Sequence, residues 1–203
     1  MASKFNLSRF TADRVVSVIA IVVGVGSLAV VVLQTQIMRE QQRGSVLPYL
    51  MIAIQSNAES TNLTVRNAGI GPAMLDDVRV RYKGKDFVAD PYDFFVQQRP
   101  EVFKTVGLSV DKLIPGRLVP AGEWIQTMGT GGAEAGATLL RELLHLFVVA
   151  EVPNTWLAGA GVTGPPSERA VVIVTYSSVY GEQWHLRSDS FVPVRGPAPG
   201  AAR

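Results

Sequence analysis

The stretch VVSVIAIVVGVGSLAVVVL, residues 15–33, is the most decisive part of the sequence because it contains no charged residue. An α-helix of this length, at about 1.5 Å per residue, spans close to the roughly 30 Å hydrocarbon core of a bilayer. Arg14 precedes the stretch, and Gln34, Gln36 and Arg39 follow it. The sequence therefore predicts a transmembrane helix at residues 15–36, after an N-terminal flank at residues 1–14.

A cleavable signal peptide is the alternative interpretation, since it also places basic residues before an apolar core. Such cores are usually about 7–15 residues long and end at a small-x-small cleavage site. The run found here is longer and leads into Gln-Thr-Gln-Ile-Met-Arg at residues 34–39. We therefore expect an uncleaved anchor that makes the chain a single-pass protein of the inner (plasma) membrane, with the lipid bilayer as its first partner.

The orientation of the helix depends on the positive charges beside it. Three Lys or Arg residues precede the apolar stretch and two follow it within residues 1–43. The positive-inside rule then places the N-terminus in the cytoplasm and the following domain outside, which in a bacterium is the periplasm. An excess of one charge leaves the opposite orientation open.

Small residues within the predicted helix suggest a packing surface. Ala20 and Gly24 form a small-xxx-small pair, a pattern that lets two membrane helices approach closely. Glycine and alanine are also simply frequent in membrane helices. The pair is therefore a candidate for helix packing, and the oligomeric state stays open.

The basic isoelectric point, near 9.0, comes from the flanks of the helix. Residues 1–43 contain five Lys or Arg and two Asp or Glu, a net charge of +3, whereas the other 160 residues contain 14 and 15, a net charge of −1. A nearly neutral domain argues against binding to a nucleic-acid backbone, which needs a concentrated basic surface. The chain also has no cysteine, which excludes disulfides and thiolate chemistry.

The rest of the chain reads as one domain behind a linker. Residues 34–43 are largely polar and predict a helical extension that Gly44 and Pro48 end, within a juxtamembrane linker at residues 37–48. Residues 49–192 contain short alternating segments separated by turns, and the glycines of Asn67–Pro72 are expected to supply positive φ angles in one such turn. Residues 193–203, PVRGPAPGAAR, predict a disordered tail.

The pattern within residues 49–192 predicts a mainly β (α+β) fold, an antiparallel β-sandwich with one or two short helices. The segment at 170–179 is apolar on both faces, which places it in the centre of a sheet. Asp90-Pro91 is expected to open a helix that ends near Gln98, and leucines at helical spacing predict a second helix at 134–146. Residues 147–152 fit a helix or a strand equally well.

Two motifs resemble landmarks of a known group. LTVRNAGIGPA, residues 63–73, and VTYSSVYGEQW, residues 174–184, are similar to segments of uncharacterised bacterial single-pass membrane proteins. Those proteins carry an immunoglobulin-like domain behind an N-terminal helix, so the resemblance implies an immunoglobulin-like β-sandwich. The motifs are a turn and a hairpin, and they imply no chemistry.

A run of alternate cations is the first candidate partner-binding surface. Arg79, Arg81, Lys83 and Lys85 are expected on one face of one strand, where they could hold an anionic headgroup, a polyanion or an acidic partner. The structural alternative is a solvated edge strand whose charges prevent edge-to-edge pairing.

Trp156 is the second candidate, because it lies in a glycine- and proline-rich segment, 154–166, that predicts an exposed loop. A tryptophan exposed on a mobile loop is a plausible anchor for a partner. The alternative is that Trp156 folds back onto the sheet.

Catalytic patterns are weak. A metal site would need the fold to bring His145 and His185 together with a carboxylate such as Glu142 or Asp189, and histidines in such positions are usually structural. A hydrolase triad would need Ser177 or Ser188 with His185 and Asp189, but the sequence has no G-x-S-x-G elbow. We therefore predict no catalytic residue, cofactor or metal, and a non-enzymatic interaction or scaffolding module with a protein partner in the bacterial cell envelope. The alternative is an envelope ligand-binding sensor or hydrolase with a pocket near His185.

Overall fold

The structure, a computed structural model, describes residues 7–44, 46–196 and 198. The chain divides into two compact units, Met1–Ser45 and Val46–Arg203. The second unit contains the nine strands that the described residues form, all in antiparallel pairs, together with short helices. This is the predicted mainly β (α+β) fold with an N-terminal helix.

The first unit consists of helix α1, Leu7–Gly44. Its stretch Val16–Gln41 has a hydropathy of 2.9 and no buried residue, and at about 1.5 Å per residue it is about 39 Å long. It is therefore long and apolar enough to span a bilayer. The helix ends at Gly44, as predicted, while residues 1–6 of the predicted flank lie outside the described residues.

Sheet A has three strands in the order β1-β2-β6. They are β1 (Leu50–Ser56), β2 (Ser60–Asn67) and β6 (Trp124–Gly131). Alternation of apolar and polar residues in β1 and β2 gives the sheet a buried and an outer face. Strand β6 has a bulge at Thr127, since Leu63 pairs with Met128 while the next residue, Thr64, pairs with Gln126. The extra residue lets β6 keep the same buried and outer faces on both sides of the bulge.

Sheet B is built around two long strands, β3 (Ala73–Tyr82) and β7 (Val171–Ser178). On one side β3 pairs with β4 (Lys85–Phe87) and β5 (Leu118–Val119), and on the other side β7 pairs with β8 (Gln183–Arg187), which pairs with β9 (Val194–Arg195). Strand β7 is therefore central, as its apolar sequence predicts.

Both sheets contribute to one hydrophobic core, which helix α4 (Ala133–Leu146) joins through Leu139, Leu143, Leu144 and Leu146. The fully buried Tyr176 of β7 connects the sheets, since its hydroxyl oxygen accepts the N–H of Leu50 over 3.5 Å. Burial raises the pKa of Tyr176 to about 12. The ring therefore acts as a neutral core residue at any physiological pH.

The domain has four α-helices and one short 3-10 helix, Pro166–Glu168, in its described residues, more than the one or two helices predicted. Helix α2 (Pro91–Gln98) begins as expected, because the Asp90 carboxylate accepts the N–H of Tyr92. The helix ends at Gln98, as predicted, and Pro100 is the first residue of a further six-residue helix, α3 (Pro100–Thr105), a position where proline needs no N–H partner. Helix α5 (Asn154–Gly159) occupies the segment predicted as a loop.

The turn after β2 needs its glycines for a different reason than the sequence suggests. Gly69 and Gly71 do not have positive φ angles. A Cβ atom on Gly69 would lie 2.3 Å from the carbonyl oxygen of Leu47, and one on Gly71 would lie 1.9 Å from that of Val46. The glycines are required because the backbone before β1 passes directly over them.

Two further expectations are corrected or decided. The predicted tail 193–203 is not disordered at its start, because Val194 and Arg195 form β9 and Ala198 is buried; residues 197 and 199–203 lie outside the described residues. Residues 147–152 form neither a helix nor a strand, since α4 ends at Leu146 and Phe147 makes a single parallel bridge with Ala170.

Candidate binding surface

The outer face of sheet A carries nine side-chain positions in three rows, one from each strand per row. The cross-strand register defines them as Met51-Arg66-Trp124, Ala53-Thr64-Gln126 and Gln55-Asn62-Gly129. Neighbours in a row have Cβ atoms about 4.5–5.5 Å apart, so one ligand can contact adjacent exposed members of a row. Gln55, Arg66 and Trp124 are exposed, Trp124 to 57%, whereas Thr64 in the middle row is buried.

Thr64 of this face donates to the carbonyl oxygen of Ala53 at 3.3 Å, but four other polar side chains of the face are not engaged within the described part of the domain. Among the described residues, the side chains of Gln55, Asn62, Arg66 and Gln126 make no hydrogen bond and no ion pair. Elsewhere in the domain most arginines are paired with a carboxylate, so the isolated guanidinium of Arg66 is unusual. These donors and acceptors are available to a ligand.

Gly129 makes room for this arrangement. A Cβ atom at residue 129 would lie 2.0 Å from Oδ1 of Asn62 and 2.6 Å from Nε2 of Gln126. The two amides therefore lie over the glycine backbone. A depression of about 280 Å³, lined by Gln55, Arg66, Gly122 and Trp124, opens beside them.

The cations of β3 and β4 do not form the predicted single face. Arg79 and Arg81 share the outer face of sheet B, but Lys83 lies in the turn after β3, with φ +49°, and Lys85 begins β4. The edge-strand alternative is also wrong, because β3 is paired on both sides. Ion pairs largely neutralise the charges of Arg79 and Arg81 on this face.

Those ion pairs are specific. Arg79 pairs with Asp77, and Arg81 donates to both carboxylate oxygens of Asp86 at 2.6 and 2.8 Å. The hydrogen bond from Arg81 lowers the pKa of Asp86. Arg187 of β8 also forms a bidentate ion pair: its Nε and Nη2 donate to the two carboxylate oxygens of Asp189 at 2.9 and 2.7 Å.

Trp156 is not on an exposed loop. It lies in α5, is half-buried, and packs against the core that the two sheets share. The sequence left two alternatives open, an exposed ring and a ring folded back onto the domain, and the structure agrees with the second. Its proposed role in partner binding therefore loses the exposure on which it depended.

The two histidines are held by backbone carbonyls. Nε2 of His145 hydrogen-bonds Ala160 O at 3.0 Å, and Nδ1 of His185 hydrogen-bonds Gly196 O at 3.0 Å. Of the two serines in the hydrolase hypothesis, Ser188 donates its hydroxyl to Val148 O at 2.5 Å, and Ser177 donates to Asp76 Oδ1 at 3.1 Å. His185 is buried in sheet B, and it lines neither the depression on sheet A nor one of about 260 Å³ beside α2.

A second depression, of about 260 Å³, lies beside α2 and contains several acids. Asp93 forms an ion pair with Lys112 at 2.7 Å, and Asp90 accepts the N–H groups of Tyr92 and Leu113 at 2.8 and 2.7 Å. Burial raises the pKa of Asp90. These contacts fix α2 and the loop after α3, so the acids serve the fold.

In α1, Ala20 and Gly24 are exposed and lie one turn apart. A Cβ atom on Gly24 would contact nothing within 4 Å in this structure. The proposed packing role of this pair stays a prediction.

Sequence reasoning missed the outer face of sheet A. The signal was present, because Arg66 and Trp124 occupy polar-side positions of segments that were read as strands. A large aromatic residue at the solvent-facing position of an alternating strand indicates a surface role. The pairing of β2 with β6, which brings the two residues together, could not be read from either segment alone.

Comparison with known proteins gives a family but no activity. The family model described as "Domain of unknown function (DUF8453)" matches residues 10–192, which include most of α1 and all strands up to β8. No curated protein and no solved structure matches the chain significantly. Since the match covers far more than half of its length, the chain belongs to the DUF8453 family.

Proposed function

We propose that this protein is a membrane-anchored, non-enzymatic interaction module that recruits or scaffolds another protein of the bacterial cell envelope. The observation that carries the proposal is the outer face of sheet A, where the exposed Trp124 lies beside Arg66, whose guanidinium has no partner in the part of the chain that the structure describes. Tryptophan and arginine are the residue types most enriched at energetic centres of protein interfaces.

The chemistry of this face favours a partner of defined character. Arg66 needs an acidic residue opposite it, because a guanidinium is best matched by a carboxylate in a forked pair. The amides of Gln55, Asn62 and Gln126 match backbone N–H and C=O groups of an approaching segment. The partner is therefore an acidic surface or an extended acidic segment.

The size of the face limits its role to the centre of a contact. Three strands about 4.8 Å apart and three rows about 6.8 Å apart cover roughly 200–300 Å². A stable interface buries about 800 Å² per partner. Residues around sheet A must then supply the rim, as usual for an interface with a small energetic centre.

Helix α1 supports the location that we propose, a single-pass inner membrane protein with its domain in the periplasm. Its apolar stretch of 26 residues has the length and hydropathy that a bilayer requires. Two antiparallel sheets around one core support an immunoglobulin-like domain, as in the bacterial single-pass proteins that the two sequence motifs resemble. In this arrangement the helix restricts the binding face to the membrane surface, which raises its effective concentration toward membrane-bound partners.

The test is capture of partners by the full-length protein, solubilised in mild detergent after in-cell crosslinking and identified by mass spectrometry. Trp124→Ala and Arg66→Ala are compared with Phe103→Ala and Arg141→Ala, which remove an exposed aromatic ring and an exposed arginine that has no carboxylate partner among the described residues. We expect the first two to weaken a stoichiometric partner by at least tenfold, which corresponds to about 1.4 kcal/mol.

Thermal unfolding separates loss of binding from loss of fold. All four variants are expected to stay within about 0.5 kcal/mol of the unmodified protein, as is typical for surface substitutions. Equal capture by all variants would refute the proposed face. A bound small molecule or metal lost only in a His185 variant would support the sensor or hydrolase alternative instead.

A further inference from the structure

A third depression lies on a different part of the domain from the outer face of sheet A. It has a volume of about 220 Å³ and opens between the β3–β4 turn, strand β8 and the segment that leads into β7. One water molecule occupies about 30 Å³ in the liquid. The depression therefore has room for a small anion together with several waters.

Cations dominate its lining. Arg81, Lys83, Arg169 and Arg187 line it, against one acid, Asp189. The carboxylate of Asp86, which pairs with Arg81, brings the balance of this group to four positive and two negative charges. An excess of two charges remains in a concave site on a domain whose overall charge is close to neutral.

Arg169 contributes a hydrogen-bond donor that the fold does not use. Its Nη1 donates to the carbonyl oxygen of Leu144 at 3.3 Å, which fixes the guanidinium, but its buried Nε has no acceptor among the described residues. A buried charged donor without an acceptor is costly and rare in native proteins. Burial also lowers the pKa of Arg169, in agreement with a poorly hydrated guanidinium.

Two neighbours add donors. Arg187 binds Asp189 through Nε and Nη2, so its Nη1 points away from that carboxylate. The ammonium of Lys83 lies 5.1 Å from the ring centre of Tyr82, and it has no hydrogen-bond partner among the described residues. Charged N–H groups from three separate segments thus line one depression.

We propose that this depression binds a phosphate group, with Arg169 as the buried donor and Lys83 and Arg187 as its neighbours. Guanidinium groups match the oxygen geometry of phosphate, and several of them around one cavity are the usual solution for this anion. The phosphate belongs either to a small soluble phosphomonoester or to the phosphodiester of a lipid headgroup. This proposal is independent of the protein partner on sheet A.

The test uses the full-length protein in a neutral detergent, at near-physiological ionic strength, titrated by calorimetry with three probes. They are inorganic phosphate, glycerol 3-phosphate and the soluble lipid headgroup glycerophosphoglycerol. Because the site is small and partly neutralised, we expect a dissociation constant on the order of 1 mM for its preferred probe. A preference for the monoester indicates a soluble ligand, and a preference for the diester indicates a lipid headgroup.

Arg169→Met is expected to weaken the preferred probe at least tenfold, while Arg117→Met, which removes an arginine from a surface ion pair with Asp111, leaves it unchanged. Lys83→Asn provides a second variant that keeps the fold, because asparagine tolerates the positive φ angle of this exposed turn position. It is expected to weaken binding severalfold, with Lys85→Asn as its control. Binding that is equal in the site variants and the controls, or absent at about 10 mM of all three probes, would overturn the proposal.

Discussion

Asn67 offers the sharpest test of how this fold is held together. Its side chain is fully buried at the end of β2 and makes four hydrogen bonds to the backbone. Nδ2 donates to the carbonyl oxygens of Gly71 and Val119 at 2.8 and 3.0 Å, and Oδ1 accepts the N–H groups of Gly69 and Tyr49 at 3.0 and 3.2 Å. One amide therefore joins the turn, β5 and the segment that enters β1.

The substitution Asn67→Ala removes all four bonds without adding a group. The two carbonyl oxygens belong to buried residues, and leaving such a group unpaired costs about 1–3 kcal/mol each. The two N–H groups belong to half-buried residues that water can reach, and their loss costs about 0.5–1 kcal/mol each. We expect the free energy of unfolding to fall by about 3–8 kcal/mol, a large part of the roughly 5–15 kcal/mol of a typical domain.

Chemical denaturation of the full-length protein in detergent, followed by tryptophan fluorescence, measures this change. Asn62→Ala is the matched control, because Asn62 lies on the same strand and its side chain makes no hydrogen bond among the described residues. The control is expected to cost less than about 1 kcal/mol. Similar losses for both variants would refute the view that Asn67 links three segments of the backbone.

Two further predictions test the turn and the ion pairs. Gly71→Ala should lower the unfolding midpoint far more than Gly131→Ala, since a Cβ atom would lie 1.9 Å from a backbone oxygen at residue 71 but 4.0 Å from one at residue 131; equal midpoints would contradict the close approach. The hydrogen bond from Arg187 lowers the pKa of Asp189 below 3.8, so this pair stabilises the fold above that pH and its contribution is lost as the pH falls through the lowered pKa. Asp189→Asn should therefore flatten the loss of stability between about pH 5 and pH 2, as measured by denaturation at each pH, and an unchanged slope would contradict it.

The fold was predictable wherever a short-range pattern determines the structure. The charge-free stretch at 15–33 predicts helix α1, and the segment at 170–179, apolar on both faces, predicts the central strand β7. The Asp90-Pro91 pair predicts the start of α2, because a capping carboxylate and a first-turn proline act within three residues. These features need no knowledge of distant segments.

The sequence-based predictions were wrong where contacts with a distant segment determine the local structure. Gly69 and Gly71 look like turn glycines, but they are required by the backbone near Leu47, about 20 residues away along the chain. The tail at 193–196 is rich in residues typical of disorder, and yet β8 pairs with it. A proline- and glycine-rich composition indicates how a segment behaves in isolation. Hydrogen bonds to a neighbouring strand can still order that segment in the folded protein.

The candidate binding site was also difficult to predict, because the sequence does not show which charged residues form ion pairs in the folded domain. The sequence favoured Arg79, Arg81, Lys83 and Lys85 because four cations lie within seven residues, but a count of charges does not reveal which of them the fold has already paired. On sheet B, Asp77 and Asp86 neutralise two of the four, and each pair lowers the field that a distant anion would experience. Arg66 is a single cation, but without a carboxylate partner among the described residues it keeps its full hydrogen-bonding capacity next to Trp124. Because a ligand gains most from groups that exchange water for the ligand, we favour Arg66 beside the exposed Trp124 as the partner-binding site over the four cations, of which two are already paired.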